Sequence, residues 1–323
     1  MSFLVALSCP QCAAPLSRMA RWRTVVCSHC GAAVLRNGQP TVERARFREA
    51  WLRSRPAIST PAEDDIVWHG QSFRILTSLG AGAHTRVLLA QRMGHPVWRV
   101  IFKLARHADD AGLNAQAAAL TALRASLQPG AAHFVPRLPT LLGTGPVQHE
   151  GRRCAALVMR QTPGYWGSAA DLQSLRPAGI DARHAVWIWR RLLETLGFVH
   201  ASGWTHGDVS LDHALLHPRD HGVMLIGWSK AKALGAGGDD RARARDIAQS
   251  AWLVRALLAG STVQAPPLGP STPPALAALL RQCCEAPLQA ASQSATTLAT
   301  SLGEAARADF GPPRFVRFDP LTA

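Results

Sequence analysis

Two kinds of side chain stand out in this chain for the chemistry they can do. Cys9 and Cys12, in CPQC, and Cys27 and Cys30, in CSHC, form two pairs separated by 14 residues. Thiolates two residues apart in a tight turn can point at one ion, and two such turns complete the tetrahedral shell that zinc favours. Gly31, directly after the last cysteine, supplies the permissive backbone such a turn uses. A closed four-cysteine shell leaves no position for water, so this zinc is expected to be structural. The second kind is lysine. Only three of the 35 basic residues are lysines, Lys103, Lys230 and Lys232, and Lys103 is the only one before residue 230. In a chain that otherwise takes its positive charge from arginine, a compact ammonium on a flexible stem suits phosphate binding inside a cleft.

The elements that must position these groups follow from composition and pattern. The chain has 323 residues, 47% of them apolar, enough to bury a sizeable core. No uninterrupted apolar run approaches the roughly 18 to 20 residues of a membrane span, so no membrane partner is expected. The start, MSFLVALSC, is apolar but has no basic flank and is too short for a secretory signal, so it reads as an edge strand. Paired cysteines of this kind point to metal and a reducing cytoplasm, which makes a cytoplasmic location the expectation. The net charge of +14 is uneven: residues 1 to 55 carry nine arginines against Glu43 and Glu49, a local excess of +7. That segment offers a nucleic-acid contact, or simply a solvated basic surface.

Three zones emerge before the tail. Residues 1–35 hold the cysteine pairs in short β-like stretches, and residues 36–65 combine a basic helix (Thr41 to Arg53) with the linker RSRPAISTPAEDD. From Ile66 to residue 311 one domain begins with strand-like pieces (SFRILTSLG, TRVLLAQR, WRVIFKLA, CAALVMRQ) around one alanine-rich helix near 110 to 127, then turns mostly helical. Strands first and helices afterwards indicate an α+β fold. Residues 312–323, PPRFVRFDPLTA, form an extended tail.

The cysteine segment resembles the zinc-ribbon family over about 30 residues, a family that binds nucleic acids or proteins. Arg18, Arg21, Trp22 and Arg23, between the pairs, would serve either. From Ile66 onward the chain resembles the protein kinases. LGAGAHTRV (Leu79 to Val87) is similar to their glycine-rich loop, with Thr85 in place of the third glycine. VIFK ends in Lys103, where the family has the lysine that holds the α- and β-phosphates. LVMRQTPG is similar to the fifth strand and hinge, with Met159 behind the adenine. THGDVS carries His206, Gly207 and Asp208 in the pattern of the catalytic loop, and RDIAQSAWLVRALLAG places Asp246 where the family braces that loop.

This resemblance implies a bilobal fold, α+β, with a small β-rich lobe over 66–160 and a large helical lobe over 161–311. It implies a nucleotide such as ATP at Gly80, Gly82, Val87, Ile101, Lys103, Met159 and Leu215, with Asp208 at the catalytic position and His206 and Asp246 as structural residues. Gly207 stands where many kinases have arginine, so nothing beside Asp208 waits for a phosphorylated activation loop.

The departures are equally specific. Five residues after Asp208 the family has asparagine, and here it is His213. In VMLIGWSK the family has aspartate where this chain has Gly227. Those positions normally hold magnesium; glycine has no ligand to offer, and an imidazole suits magnesium poorly. Gln116 occupies the place of the glutamate that pairs with the lysine, and an amide can hydrogen-bond Lys103 without neutralising it. The sequence therefore reads as a bacterial-type cytosolic pseudokinase that works as a regulatory or protein-interaction module with a protein partner and a structural zinc. Two alternatives stand beside it: a divergent serine/threonine-type kinase of low or magnesium-independent activity, and a nucleic-acid-binding protein that uses the ribbon and basic linker.

Overall fold

The computed structural model describes residues 14, 24–26, 33–35, 65–82, 84–93, 98–105, 111–235, 239–261, 263, 266–285 and 294–321. Cys9, Cys12, Cys27 and Cys30, the opening segment and the basic linker lie outside the described residues. Within the N-terminal zone, β1 (Thr24–Val26) and β2 (Ala33–Leu35) pair antiparallel, with Thr24 opposite Leu35. In the sequence the second cysteine pair falls between these two strands.

The small lobe is a closed barrel rather than an open sheet. It runs β3 (Asp65–Trp68), β4 (Gln71–Ala81), β5 (Thr85–Arg92), β6 (Arg99–Ala105), then β7 (Leu141–His149) and β8 (Arg152–Arg160), in the order β3-β4-β5-β6-β8-β7. Closure comes from β3, whose Val67 pairs with Gln148 of β7. Two hairpins are tight: His69 and Gly70 (φ 48° and 70°) join β3 to β4, and Glu150 and Gly151 (φ 51° and 69°) join β7 to β8. Positive φ at both central residues matches the natural twist of paired strands. Alternation then directs Ile66, Trp68, Phe73 and Phe102 inward. The Phe73 and Phe102 rings meet edge to face at 5.3 Å.

Between β6 and β7 the chain forms α1 (Ala111–Arg124) and the single turn α2 (Ala131–Phe134). Helix α1 buries Leu113, Gln116, Leu120 and Leu123 along one face. Leu113 packs with Ala105 and Leu157 of the barrel, whereas Leu120 and Leu123 join the core of the large lobe. A single helix thus ties the two lobes, with Gln116 midway along its buried face.

The large lobe is built from α3 (Ala169–Leu175), α4 (Ala182–Ala201), α5 (Asp240–Ala259), α6 (Pro274–Glu285) and α7 (Ala295–Phe310). Short strands lie against them: β9 (Gly167–Ser168), β10 (Trp204–Thr205), β11 (Ala214–His217), β12 (Gly222–Leu225) and β13 (Lys232–Ala233). Ser168 and Asp171 cap α3 reciprocally, and Asp181 caps α4 by accepting from the Arg183 N–H at 2.7 Å. Asp239 and Asp240, conspicuous acids in the sequence, are spent on α5: the first accepts from Ala242 N–H at 3.0 Å and the second pairs with Arg243.

The tail docks. Phe318 is 5% exposed and packs on His184 and Trp187, and the Pro320 carbonyl accepts from Arg176 at 3.1 Å. Phe315 stacks on His221 at 4.4 Å, and His221 stacks in turn on Trp187 at 4.5 Å.

Candidate functional site

The barrel presents one side of β6, β7 and β8 to α1. Strand β6 alternates, with Val100, Phe102 and Leu104 in the barrel core and Ile101 and Lys103 half-buried on the other side. Register puts Val87 opposite Lys103, and Met159 opposite Ile101. Gly80 pairs with Val87, and the Gly82 N–H donates to the Thr85 carbonyl at 2.8 Å, closing the turn between β4 and β5. Lys103 Nζ donates to Gln116 Oε1 at 2.9 Å, and Gln116 Nε2 donates to Met159 Sδ at 3.7 Å. Gln116 is 1% exposed, so its amide is held from both ends.

Across the cleft, the loop after β10 is pinned from beneath by Asp246 on α5. This carboxylate is fully buried and accepts from the backbone N–H of His206 and of Gly207, each at 2.8 Å. His200 Nε2 lies 2.9 Å from the same carboxylate. His206 donates from Nε2 to the Ile226 carbonyl (2.9 Å) and accepts at Nδ1 from the Asp208 N–H (3.3 Å), which fixes its neutral tautomer. Burial, opposed by Asp246, pushes the His206 pKa from 6.5 down to about 4. Asp208 is thereby held by its own backbone in a rigid turn.

Two side chains then crowd around Asp208. Lys230, on the 3-10 turn Trp228–Lys230 after β12, sets Nζ 3.1 Å from Asp208 Oδ1. His213 donates from Nδ1 to the Asp208 backbone carbonyl at 2.8 Å, and the same nitrogen is 3.6 Å from Oδ2. Gly227 is left-handed, φ 78°, and a β-carbon there would lie 2.6 Å from Cγ of the His213 ring. Gly207 is also left-handed, φ 78°, and a β-carbon there would lie 2.5 Å from the Lys230 carbonyl oxygen. Glycine at 207 therefore has a local cause: it admits the Lys230 backbone to the loop and so brings the ammonium to Asp208.

The residues at the two expected metal positions do not fit magnesium. One lacks a side chain, the other is an imidazole whose ring fills the corner the missing side chain would need, and an ammonium already sits on the neighbouring carboxylate. Leu215 lies half-buried on β11, paired with Ser168 of β9, while Asp212 is exposed. Sequence reasoning missed Lys230 as a site residue. The signal was present, since it is one of only three lysines, but its approach to Asp208 depends on the turn at Gly227 and the space at Gly207.

A β-barrel lobe tied by one helix to a helical lobe, with a lysine on the barrel and an aspartate loop below it, defines a protein-kinase-like fold. Solved structures share it. The chain superposes on the kinase domain of Mycobacterium tuberculosis PknI with a TM-score of 0.52 and 18% identity, over 77% of this chain and 99% of that one. It superposes on the BubR1 kinase domain with a TM-score of 0.53 and 12% identity, over 75% and 86%. The PF14_0431 kinase domain matches at 14% identity and a TM-score of 0.48, over 58% of this chain and 64% of that one; the fold assignment rests on the other two. No protein-family model and no curated protein matches the chain. No helix among the described residues is long and apolar enough to cross a membrane.

Proposed function

We propose that this protein is a pseudokinase: a kinase-like domain that binds nucleotide without magnesium, does not carry out magnesium-dependent phosphotransfer, and acts as a regulatory module on a protein partner. One observation carries this reading, the imidazole of His213 standing in the space of a side chain at Gly227 while Lys230 neutralises Asp208. Phosphoryl transfer is mostly positioning and charge neutralisation, and metal ions normally supply the charge. Here Lys103 and Lys230 contribute positive charge to the phosphates, with Val87, Ile101, Met159 and Leu215 as half-buried apolar surface for a base. Ahead of this domain, Cys9, Cys12, Cys27 and Cys30 bind one structural zinc, and the arginines of residues 1–55 extend the binding surface.

The purified full chain, incubated with ATP and either magnesium, manganese or chelator, is expected to show no phosphorylation of itself or of a general protein substrate. Its thermal stabilisation by ATP is expected to be the same with and without magnesium, and to be lost in Lys103→Ala. Reproducible transfer that disappears in Asp208→Ala would overturn the proposal in favour of a divergent kinase.

A further inference from the structure

A cavity of about 520 Å³ lies on the large lobe and shares no residue with the cleft described above. Helix α4, the C-terminal turns of α7 and the strap Gly311 to Val316 enclose it, and His221 closes one side. Its size falls within the roughly 300–1,000 Å³ of small-molecule sites.

The lining is unusual in charge. Arg183, Arg190, Arg191, Arg307 and Arg314 all contribute to it, and among the described residues no carboxylate does. Arg190 and Arg191 share one carboxylate, Glu194, at 2.9 and 2.7 Å, and Glu194 is also 3.9 Å from Arg137. Arg183 pairs with Asp181 at 3.4 Å, and its guanidinium lies over the Phe310 ring at 5.1 Å. Among the described residues, neither Arg307 nor Arg314 has a carboxylate within ion-pair distance. Five arginines thus line a shared space, and among the described residues Asp181 and Glu194 are the carboxylates paired with three of them. Like charges gathered on one concavity repel unless a counter-charge enters. Planar guanidinium forks are matched to phosphate oxygens, and they are present on helix, helix end and strap alike.

We propose that this cavity binds a small polyanion, a molecule bearing two or more phosphate groups, through Arg307 and Arg314 with Arg183 and Arg190 in support. The strap forms one wall, so the ligand bridges the tail to α4 and α7. Arg191 has a structural task, donating from Nε to the His221 carbonyl at 3.1 Å, and it contributes charge from behind.

Calorimetric titration of the full chain with inorganic tripolyphosphate at constant ionic strength tests this. Lys103→Ala/Lys230→Ala is titrated in parallel to exclude the cleft, and Arg307→Gln/Arg314→Gln to address the cavity. The expected result is saturable binding that survives in the lysine variant and weakens roughly tenfold or more in the arginine variant. Both arginines are exposed, so their variant should keep the parent melting temperature, and a circular-dichroism melt verifies that. No binding up to about 1 mM ligand would overturn the proposal, as would binding that the arginine variant retains unchanged.

Discussion

The ring of His213 and the missing side chain of Gly227 occupy the same corner of the cleft: a β-carbon on Gly227 would sit 2.5 Å from Nε2 of that ring. The two departures from the kinase pattern are thus one structural event. With the ring in place only glycine fits at 227. With glycine at 227 the ring can turn in to donate its Nδ1 hydrogen to the Asp208 carbonyl.

Gly227→Asp alone should therefore fail to build a metal site and should cost stability, through both positive φ and overlap with the ring, by about 1–3 kcal/mol. Gly227→Asp/His213→Asn removes the overlap and leaves only the backbone strain. Denaturant melts of the two single variants and the double are expected to be non-additive, with the double more stable than Gly227→Asp. Additive costs would show that the two positions act separately.

The Lys230 and Asp208 pair is open to solvent on the lysine side, 60% exposed against 23%. Its removal by Lys230→Ala should change stability by no more than about 1 kcal/mol, the range of such pairs. Chelator-treated protein should nevertheless lose roughly tenfold in ATP affinity, since a cation proposed for the phosphates is gone. Affinity is read by titration in EDTA, and an unchanged value would remove Lys230 from the nucleotide site.

Gln116 holds Lys103 without neutralising it. A carboxylate at this 1% exposed position would take up the ammonium's charge. Gln116→Glu is accordingly expected to weaken metal-free ATP binding roughly tenfold. Tighter binding in the same titration would mean that the amide, rather than the retained charge, limits the site.

His206 gives the fold an acid sensitivity. Its folded pKa, about 4, lies below the ordinary 6.5, so the unfolded chain takes up the proton first as pH falls. The stability due to neutral His206 is fully present above about pH 6.5 and is lost progressively toward pH 4. His184 and His217, lowered chiefly by burial, act in the same direction. Melting temperature should fall steeply across this window, and His206→Gln should flatten the fall while lowering stability at pH 7.5. An equally steep fall in His206→Gln would place the sensitivity elsewhere.

Zinc removal should act locally. Chelation, or Cys27→Ser/Cys30→Ser, is expected to make residues 1–35 protease-sensitive while leaving the kinase-like domain's melting transition in place, because that domain has its own core. Zinc content by metal analysis should be one ion per chain in the parent protein.

Much of the architecture is legible in the sequence because it rests on local pattern. Alternation along RVIFKLA predicts a strand with one buried side and sets Lys103 on the other. The apolar spacing of Leu113, Leu120 and Leu123 makes α1 amphipathic, and the order of strands, then helices, yields two lobes. The sequence also exposes what is absent, since His213 can be read by counting from Asp208 and Gly227 from its place in VMLIGWSK. Barrel closure by β3 is not legible, because it depends on a single pairing, Val67 with Gln148, between strands about 80 residues apart.

The tail shows the same division. PPRFVRFDPLTA advertises two phenylalanines but not where they go, and docking is settled by the groove that His184 and Trp187 of α4 form with His221, which lies between β11 and β12. The sequence by itself determined the residue types at the positions proposed for nucleotide and expected for metal, because those follow from spacing within continuous segments. The tertiary structure alone decided which ammonium meets Asp208 and what fills the space beside Gly227. Both depend on two left-handed glycines, Gly207 and Gly227, letting backbone and ring approach closer than any β-carbon permits, a constraint between residues distant in the chain.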